Sequence, residues 1–374
     1  MPALGTAALL AAVFLVALAN GANDNPKGVG ALIGSRMAGA RQALRFANLA
    51  ALVGSIAALI VALRFSGSLI VAFGGSGLVP AGASLSGTYL LSIALGAAIA
   101  VLAATRLGIP VSTTHALFGA LVGAGLVSVG PRHLVWSALV AKFVVPPLLS
   151  PVLACLATVA MYPLVRGVLA ALGLERKFCV CIETVEQPVV LRDGTLALAT
   201  GRALTLDEVA RCETRLAGRI LTLPARPVVV GLFFLASGAV CFARALNDTP
   251  KIVGLVVTSA PSAIAPSMGG VALAMLIGGI LFSRRVARTM SDRIAGVDVE
   301  QGLAASLVSA GLVVAASLAG LPVSTTHVTV GALAGAGLSR GTARLHTVSA
   351  ILLAWVTTLP LAAALAAMAH LLLA

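Results

Sequence analysis

Two 18-residue stretches, IPVSTTHALFGALVGAGL ending at Leu126 and LPVSTTHVTVGALAGAGL ending at Leu338, agree at 13 positions. A second pair, NDNPKGVGAL from Asn23 and NDTPKIVGLV from Asn247, agrees at 6 of 10. The order is the same each time: first an N-D-x-P-K element, then a P-V-S-T-T-H element. Such a chain is an internal duplication, and its fold must place two equivalent copies of each element.

The residues around these elements decide the solvent. Apolar runs occur near 3–22, 46–63, 88–104, 111–129, 134–172, 228–246, 252–283, 302–320, 323–338 and 346–374. A helix that spans a bilayer needs about 20 such residues. Charged residues are only 10% of the chain, against about 25% in soluble domains. Lipid bilayer is therefore the expected surroundings. The expected fold is an all-α membrane protein of about 10–12 membrane segments, built as two inverted-topology repeats with discontinuous helices and re-entrant segments. The many Gly and Ala residues suit close helix packing in lipid. The formal charge of +13 comes without basic runs interleaved with aromatics. No nucleic-acid partner is expected, and the arginines are read as loop charge that sets orientation. Residues 1–20 lack a basic n-region and run straight into the first motif, so they read as a membrane segment rather than a leader.

One region is polar. Residues 173–226 hold eight Lys/Arg and seven of the twelve acids. The expected division is a first membrane repeat over 1–172, a soluble cytoplasmic insert over 173–227 and a second membrane repeat over 228–374. Within the insert, CVCIETVEQPVVLRDG reads as strand and turn. TLDEVARCETRLAGRI reads as an amphipathic helix capped by Thr205 or Asp207. Cys179, Cys181 and Cys212 are poorly spaced for a metal. The clusters Arg36, Arg41, Arg45 and Arg284, Arg285, Arg288, Arg293 are placed with the insert on the cytoplasmic side, which puts the N-terminus outside and the two halves antiparallel. The expected location is the plasma membrane, multi-pass; a homodimer is left open.

Outside the insert the acids are Asp24, Asp248, Asp292, Asp298 and Glu300, and the last three share an Arg-rich loop. Asp24 and Asp248 are thus the carboxylates expected at membrane depth, with Lys27 and Lys251 three residues on. Each ionisable group there costs about 2.5–3.5 kcal/mol, so a function is the default reading. Pro26 and Pro250 are expected to break the helix at each N-D pair. The freed carbonyls, with Asn23, Asp24, Asn247 and Asp248, would form a hard-cation site suited to Na⁺; an Asp alone could instead carry H⁺.

Pro110 and Pro322 precede Ser112-Thr113-Thr114 and Ser324-Thr325-Thr326. Proline near a helix start followed by Ser or Thr is an N-cap signature, and a helix N-terminus is a ready anion site. His115 and His327 complete the motif as orienting hydrogen-bonders or proton carriers. Gln42 and Gln301 form a further matched polar pair.

Together these residues resemble the inorganic phosphate transporter (PiT) family, whose members share a duplicated N-D signature and PVSTTH-like segments. The resemblance covers nearly the whole chain. It implies a substrate site at the midplane interface of inverted repeats, no enzyme activity, no bound cofactor, and symport of inorganic phosphate with Na⁺ or H⁺ by alternating access. Asp24, Thr113, Thr114, Asp248, Thr325 and Thr326 would contact or frame phosphate, and Asn23, Asn247 and the Asp oxygens would bind the coupling cation. Small residues follow N-D in the commoner family form; here Asn25-Pro26-Lys27 and Thr249-Pro250-Lys251 follow, and a fixed positive charge could substitute for a bound Na⁺. Phosphate keeps a proton near neutral pH and sulfate keeps none, so the two carboxylates favour phosphate by hydrogen bonding. A sulfate or other oxyanion permease of the same fold, or a passive anion channel, is the alternative. An intramembrane hydrolase would need one asymmetric nucleophile and base, whereas every candidate here is doubled.

Overall fold

The computed structural model describes residues 3–64, 70, 73, 87–171, 178–190, 196–208, 227–257, 263–291, 298–342 and 345–374. These group into two units, Met1–Pro163 with Phe233–Ala374, and Leu164–Leu232.

In the first unit, α1 (Ala3–Gly28) is followed by the short α2 (Gly30–Gly34), α3 (Ala40–Arg64), α4 (Gly87–Leu107) and α5 (Thr113–Ser128). A short α6 (Trp136–Leu139) leads through a π turn into α7 (Val145–Ala171). The second half runs α8 (Pro227–Val257), α9 (Ile264–Phe282), α10 (Arg284–Thr289), α11 (Val299–Leu318), α12 (Thr325–Leu338) and α13 (Leu345–Leu373). Eight helices among the described residues are long and apolar enough to cross a membrane, and α5 is a shorter apolar helix. Their outer faces are apolar too. On α3, Leu49, Val53, Ile56, Ile60 and Leu63 recur at helical spacing and are exposed, as a lipid-facing stripe requires.

The duplication is visible in backbone detail. Helices α4 and α11 both end at a left-handed glycine, Gly108 at φ 71° and Gly320 at φ 67°. In the first copy Gly108 N–H donates to Thr105 O and Ile109 N–H to Ala104 O; in the second Gly320 N–H donates to Ser317 O and Leu321 N–H to Ala316 O. Both are the paired short-and-long bonds of a Schellman turn, which glycine adopts without Cβ strain. A short extended stretch follows, and then the half-length helix, α5 or α12. Their N-caps are Ser112 and Ser324, whose side chains accept from His115 N–H and His327 N–H.

Both half-length helices carry glycines four apart, and both rest on a long helix from the other half. A Cβ at Gly119 or Gly123 would stand 2.2 or 2.0 Å from the carbonyls of Leu359 or Ala363 on α13. A Cβ at Gly331 or Gly335 would stand 2.3 Å from those of Pro151 or Cys155 on α7. Backbones this close are what small residues permit in lipid. Gly123→Leu should therefore prevent assembly, because backbone cannot yield as a side chain can. Gly269→Leu, at an exposed position with nothing within 4 Å, should not. Size-exclusion profiles of the two variants in detergent check this.

Two expectations are corrected. The helix does not break at either N-D pair: α1 runs through Pro26 and α8 through Pro250. A single proline frees one carbonyl, whereas unwinding would free several buried backbone groups, each of which would need a new partner. The interruption comes just past the first motif, at Val29, whose φ −112° and ψ 5° separate α1 from α2. The runs at 228–246 and 252–283 therefore divide differently, since α8 continues to Val257.

The Leu164–Leu232 unit holds an antiparallel pair, β1 (Phe178–Val190) with β2 (Leu196–Glu208), in register from Phe178 opposite Glu208 to Val190 opposite Leu196. β1 agrees with the strand expected there. The helix expected to start at Thr205 or Asp207 does not start there: both residues lie in β2, opposite Cys181 and Cys179. Pairing with β1 overrides the local capping signal. Cys212 and the rest of that expected helix lie outside the described residues.

Candidate functional site

The N-caps of α5 and α12 meet. Ser112 Oγ and Ser324 Oγ are 2.8 Å apart. Two helix N-termini thus converge, each with partial positive charge. The N-D-x-P-K segments of α1 and α8 bring their polar side chains to this point.

Lys27 Nζ donates to Asp24 Oδ1, to the Val111 carbonyl and to Thr326 Oγ1. Lys251 Nζ donates to Asp248 Oδ1 at 3.0 Å, to the Val323 carbonyl at 2.7 Å and to Thr114 Oγ1 at 2.9 Å. The two sets are the same three acceptors, exchanged between halves. The threonines close the pattern: Thr114 Oγ1 donates to Val323 O at 3.3 Å and Thr326 Oγ1 to Val111 O at 3.2 Å. Thr113 Oγ1 donates to Asp24 Oδ2 at 3.0 Å, and Thr325 Oγ1 lies 3.5 Å from Asp248 Oδ2.

Two further residues belong here. Asn20 and Arg244 each stand four residues before the motif aspartate, so they are equivalent positions filled differently. Asn20 Nδ2 faces Asp24 Oδ2 at 2.7 Å, Thr113 Oγ1 at 3.1 Å and Asp248 Oδ2 at 3.4 Å. The Arg244 guanidinium donates to Thr325 at 3.1 Å, Thr329 at 3.2 Å and Thr326 at 3.4 Å, and lies 3.5 Å from Asp24 Oδ1. Arg244 is absent from the sequence expectation, where the arginines are loop charge. The signal was one arginine inside an otherwise apolar run, a costly placement that marks function as surely as an aspartate does. None of Asn20, Asp24, Lys27, Thr113, Thr114, Arg244, Asp248, Lys251, Thr325 or Thr326 is more than 4% exposed. Asn20 Oδ1 and Arg244 Nε are buried with no hydrogen-bond partner among the described residues.

Chemically, this is a centre of two carboxylates, two ammoniums and one guanidinium, ringed by hydroxyls. Its donors outnumber its acceptors, so it suits an anion. One buried acceptor, Asn20 Oδ1, would accept a hydrogen bond from a protonated oxygen of that anion.

The remaining expected residues take supporting places. Asn23 Nδ2 donates to Thr105 Oγ1 at 2.9 Å and Ile109 O at 3.0 Å, while its Oδ1 accepts from Val111 N–H at 3.1 Å. Asn247 Nδ2 donates to Ser317 Oγ at 2.8 Å. Both amides tie the N-D helix to the turn before the half-length helix, instead of joining the Asp oxygens. Ser112 and Ser324 are occupied as caps. His115 Nδ1 is 3.1 Å from Ser112 Oγ and His327 Nδ1 is 2.9 Å from Pro147 O. Their rings lie 4.4 Å apart, and His327 stacks on Trp355 at 3.5 Å. This is the geometry of orienting groups.

The glutamine pair is not brought to the site. Gln42 is exposed on α3. Gln301 forms a capping box with Asp298 and donates to Ala336 O at 2.7 Å, which anchors the start of α11 against α12. Arg41, Arg284 and Arg288, from the two basic clusters, line one cleft of 360 Å³ with Ser291.

Comparison with known proteins agrees with this picture. The sequence profile described as the phosphate transporter family matches residues 20–366. A Thermococcus kodakarensis protein named as a phosphate permease is 27% identical, over 95% of this chain and 94% of its own. The inorganic phosphate transporter 2-1, chloroplastic, of Arabidopsis thaliana is 26% identical, over 94% of this chain and 69% of its own. A solved structure described as the sodium-dependent phosphate transporter superposes with TM-score 0.75 at 22% identity, covering 99% of both chains, so it shares the fold. These relatives are transporters and not enzymes, which removes the hydrolase alternative. With eight membrane-length helices and a family match over nearly its whole length, the chain is a multi-pass membrane protein that belongs to the phosphate transporter family.

Proposed function

We propose that this protein is a secondary active transporter of the plasma membrane that imports inorganic phosphate, coupled to Na⁺ or H⁺, by alternating access. The observation that carries the reading is the convergence of two helix N-termini on five buried charges, Asp24 and Lys27 from the first duplicated half and Arg244, Asp248 and Lys251 from the second. A centre built from both halves is what inverted-repeat transporters use, because rocking one half against the other then opens the site to either side.

Phosphate is the preferred oxyanion. Arg244, Lys27, Lys251 and the threonine hydroxyls offer donors to its charged oxygens. Asp24, Asp248 and Asn20 Oδ1 are acceptors, which a protonated phosphate oxygen satisfies and sulfate does not. Thr113, Thr114, Thr325 and Thr326 frame the anion. Ser112, Ser324, His115 and His327 hold the two half-length helices end to end, and Asn23 and Asn247 fix each N-D helix to its partner turn. The segment 173–227 is a soluble cytoplasmic insert between the repeats.

The test is uptake of radiolabelled phosphate into proteoliposomes under an imposed Na⁺ gradient or an imposed pH gradient, with excess sulfate as competitor. The expected result is uphill phosphate accumulation under one gradient, undiminished by sulfate. Downhill flux alone would make the protein a channel. Competition by sulfate would make it a broader oxyanion permease.

A further inference from the structure

We infer that Lys27 and Lys251 occupy the positions of the coupling cation, so that phosphate binding and transport by this protein are independent of sodium. The inference deepens the phosphate-transport reading and rests on it for its substrate.

An ammonium has three N–H donors and no acceptor. Each of these two meets three oxygens of three kinds: an aspartate carboxylate, a backbone carbonyl and a threonine hydroxyl. Carboxylate, carbonyl and hydroxyl oxygens converging from separate elements are the ligand set of a hard metal cation. Here the cation is covalently attached. Both lysines are at most 1% exposed, so neither side chain turns to solvent to vacate the place. The arrangement occurs twice with the halves exchanged, which makes it a property of the architecture and not of one local contact.

Charge gives the same answer. Asp24 and Asp248 carry two negative charges; Lys27, Lys251 and Arg244 carry three positive. Before any anion arrives, the centre stands one charge positive. A singly charged dihydrogen phosphate would bring it to neutrality unaided. A sodium ion beside that monoanion would instead leave one positive charge uncompensated at membrane depth, which is costly. The sodium dependence named for the structural relative at 22% identity is therefore not expected here.

Truncating the lysines should uncover the two oxygen sets. In Lys27→Ala/Lys251→Ala, Asp248 Oδ1, Val323 O and Thr114 Oγ1 would be left without a cation, while Asp24 Oδ1, Val111 O and Thr326 Oγ1 would keep only the Arg244 guanidinium, 3.5 Å from Asp24 Oδ1 and 3.4 Å from Thr326 Oγ1. Sodium becomes the ligand that stabilises them. Lys27→Met/Lys251→Met fills the same volume without charge and should leave no room for the ion.

The experiment measures melting temperature in detergent, in NaCl against choline chloride at equal ionic strength, beside phosphate uptake in sodium-free proteoliposomes. Wild type should melt at the same temperature in both salts and take up phosphate equally well without sodium. The double Ala variant should gain several degrees in NaCl only, since a ligand that binds the folded state alone raises its stability. The Met variant should not respond. Where the double Ala variant does not fold, Lys251→Ala alone provides the same readout. A sodium-dependent rise in wild-type melting temperature, or a sodium requirement for its uptake, would overturn the inference, as would folded Ala variants blind to sodium. Absence of phosphate uptake in every condition would remove the transport reading, while sodium-blind wild type with sodium-responsive Ala variants would still establish the lysines as tethered cations.

Discussion

Asp24→Asn is expected to abolish phosphate uptake. The carboxylate sits beside Lys27 and Arg244 and accepts from Asn20 and Thr113. An amide removes one negative charge and turns one acceptor into a donor, which then points at the donors of Asn20 and Thr113. The centre's excess charge rises from one to two. Breaking a buried ion pair by removing one partner costs about 3–5 kcal/mol, so part of the protein should also fail to fold. Two outcomes are separated by adding Lys27→Met. That change removes the orphaned ammonium, and the double variant Asp24→Asn/Lys27→Met should recover a monodisperse folded population without recovering uptake. Recovery of transport along with folding would mean that Asp24 serves only to neutralise its lysine.

Arg244→Gln should leave the fold largely in place and weaken phosphate binding by about 10–100-fold, the equivalent of a charge-assisted hydrogen bond of about 1.5–3 kcal/mol. Glutamine keeps a donor toward Thr325 or Thr329 but removes the charge that holds both the anion and Asp24. Arg244→Lys should restore less than half of this loss in free-energy terms. Lysine supplies a point charge without the planar fork that now reaches Thr325, Thr326 and Thr329 together. Concentration dependence of initial uptake rates checks both variants, and the effect should fall on the apparent KM before the maximal rate.

The duplication, the expected acids and the caps at Ser112 and Ser324 were legible in the sequence because each depends on local residue type or on charge that lipid does not accept. Arg244 obeys the same logic, but it is hidden when the arginines are taken together as loop charge. The continuity of α1 and α8 was not legible. Proline's local penalty argues for a break, and what outweighs it is the cost of leaving several buried backbone groups without partners, a condition of the whole fold that no dipeptide records. The same holds for Asn23 and Asn247. Their proximity to Asp24 and Asp248 in sequence suggested a shared ligand, but successive residues on a helix point about 100° apart, and these amides turn toward Thr105 and Ser317 instead. The strand at Thr205 and Asp207 depended on a partner strand beginning near Phe178, which a capping signal cannot anticipate.

The exchange of glycine seats between halves gives the protein an uneven history of assembly. When Gly331 and Gly335 leave the ribosome, the carbonyls of Pro151 and Cys155 that receive them have already been made. Gly119 and Gly123 have no such bed, since Leu359 and Ala363 are translated long after them. The helix that carries Thr113 and Thr114 therefore gains its close backbone packing only once α13 has been made. Two duplicated halves with matching glycine contacts thus differ in chain order: one half-length helix follows the helix it packs on, and the other precedes it.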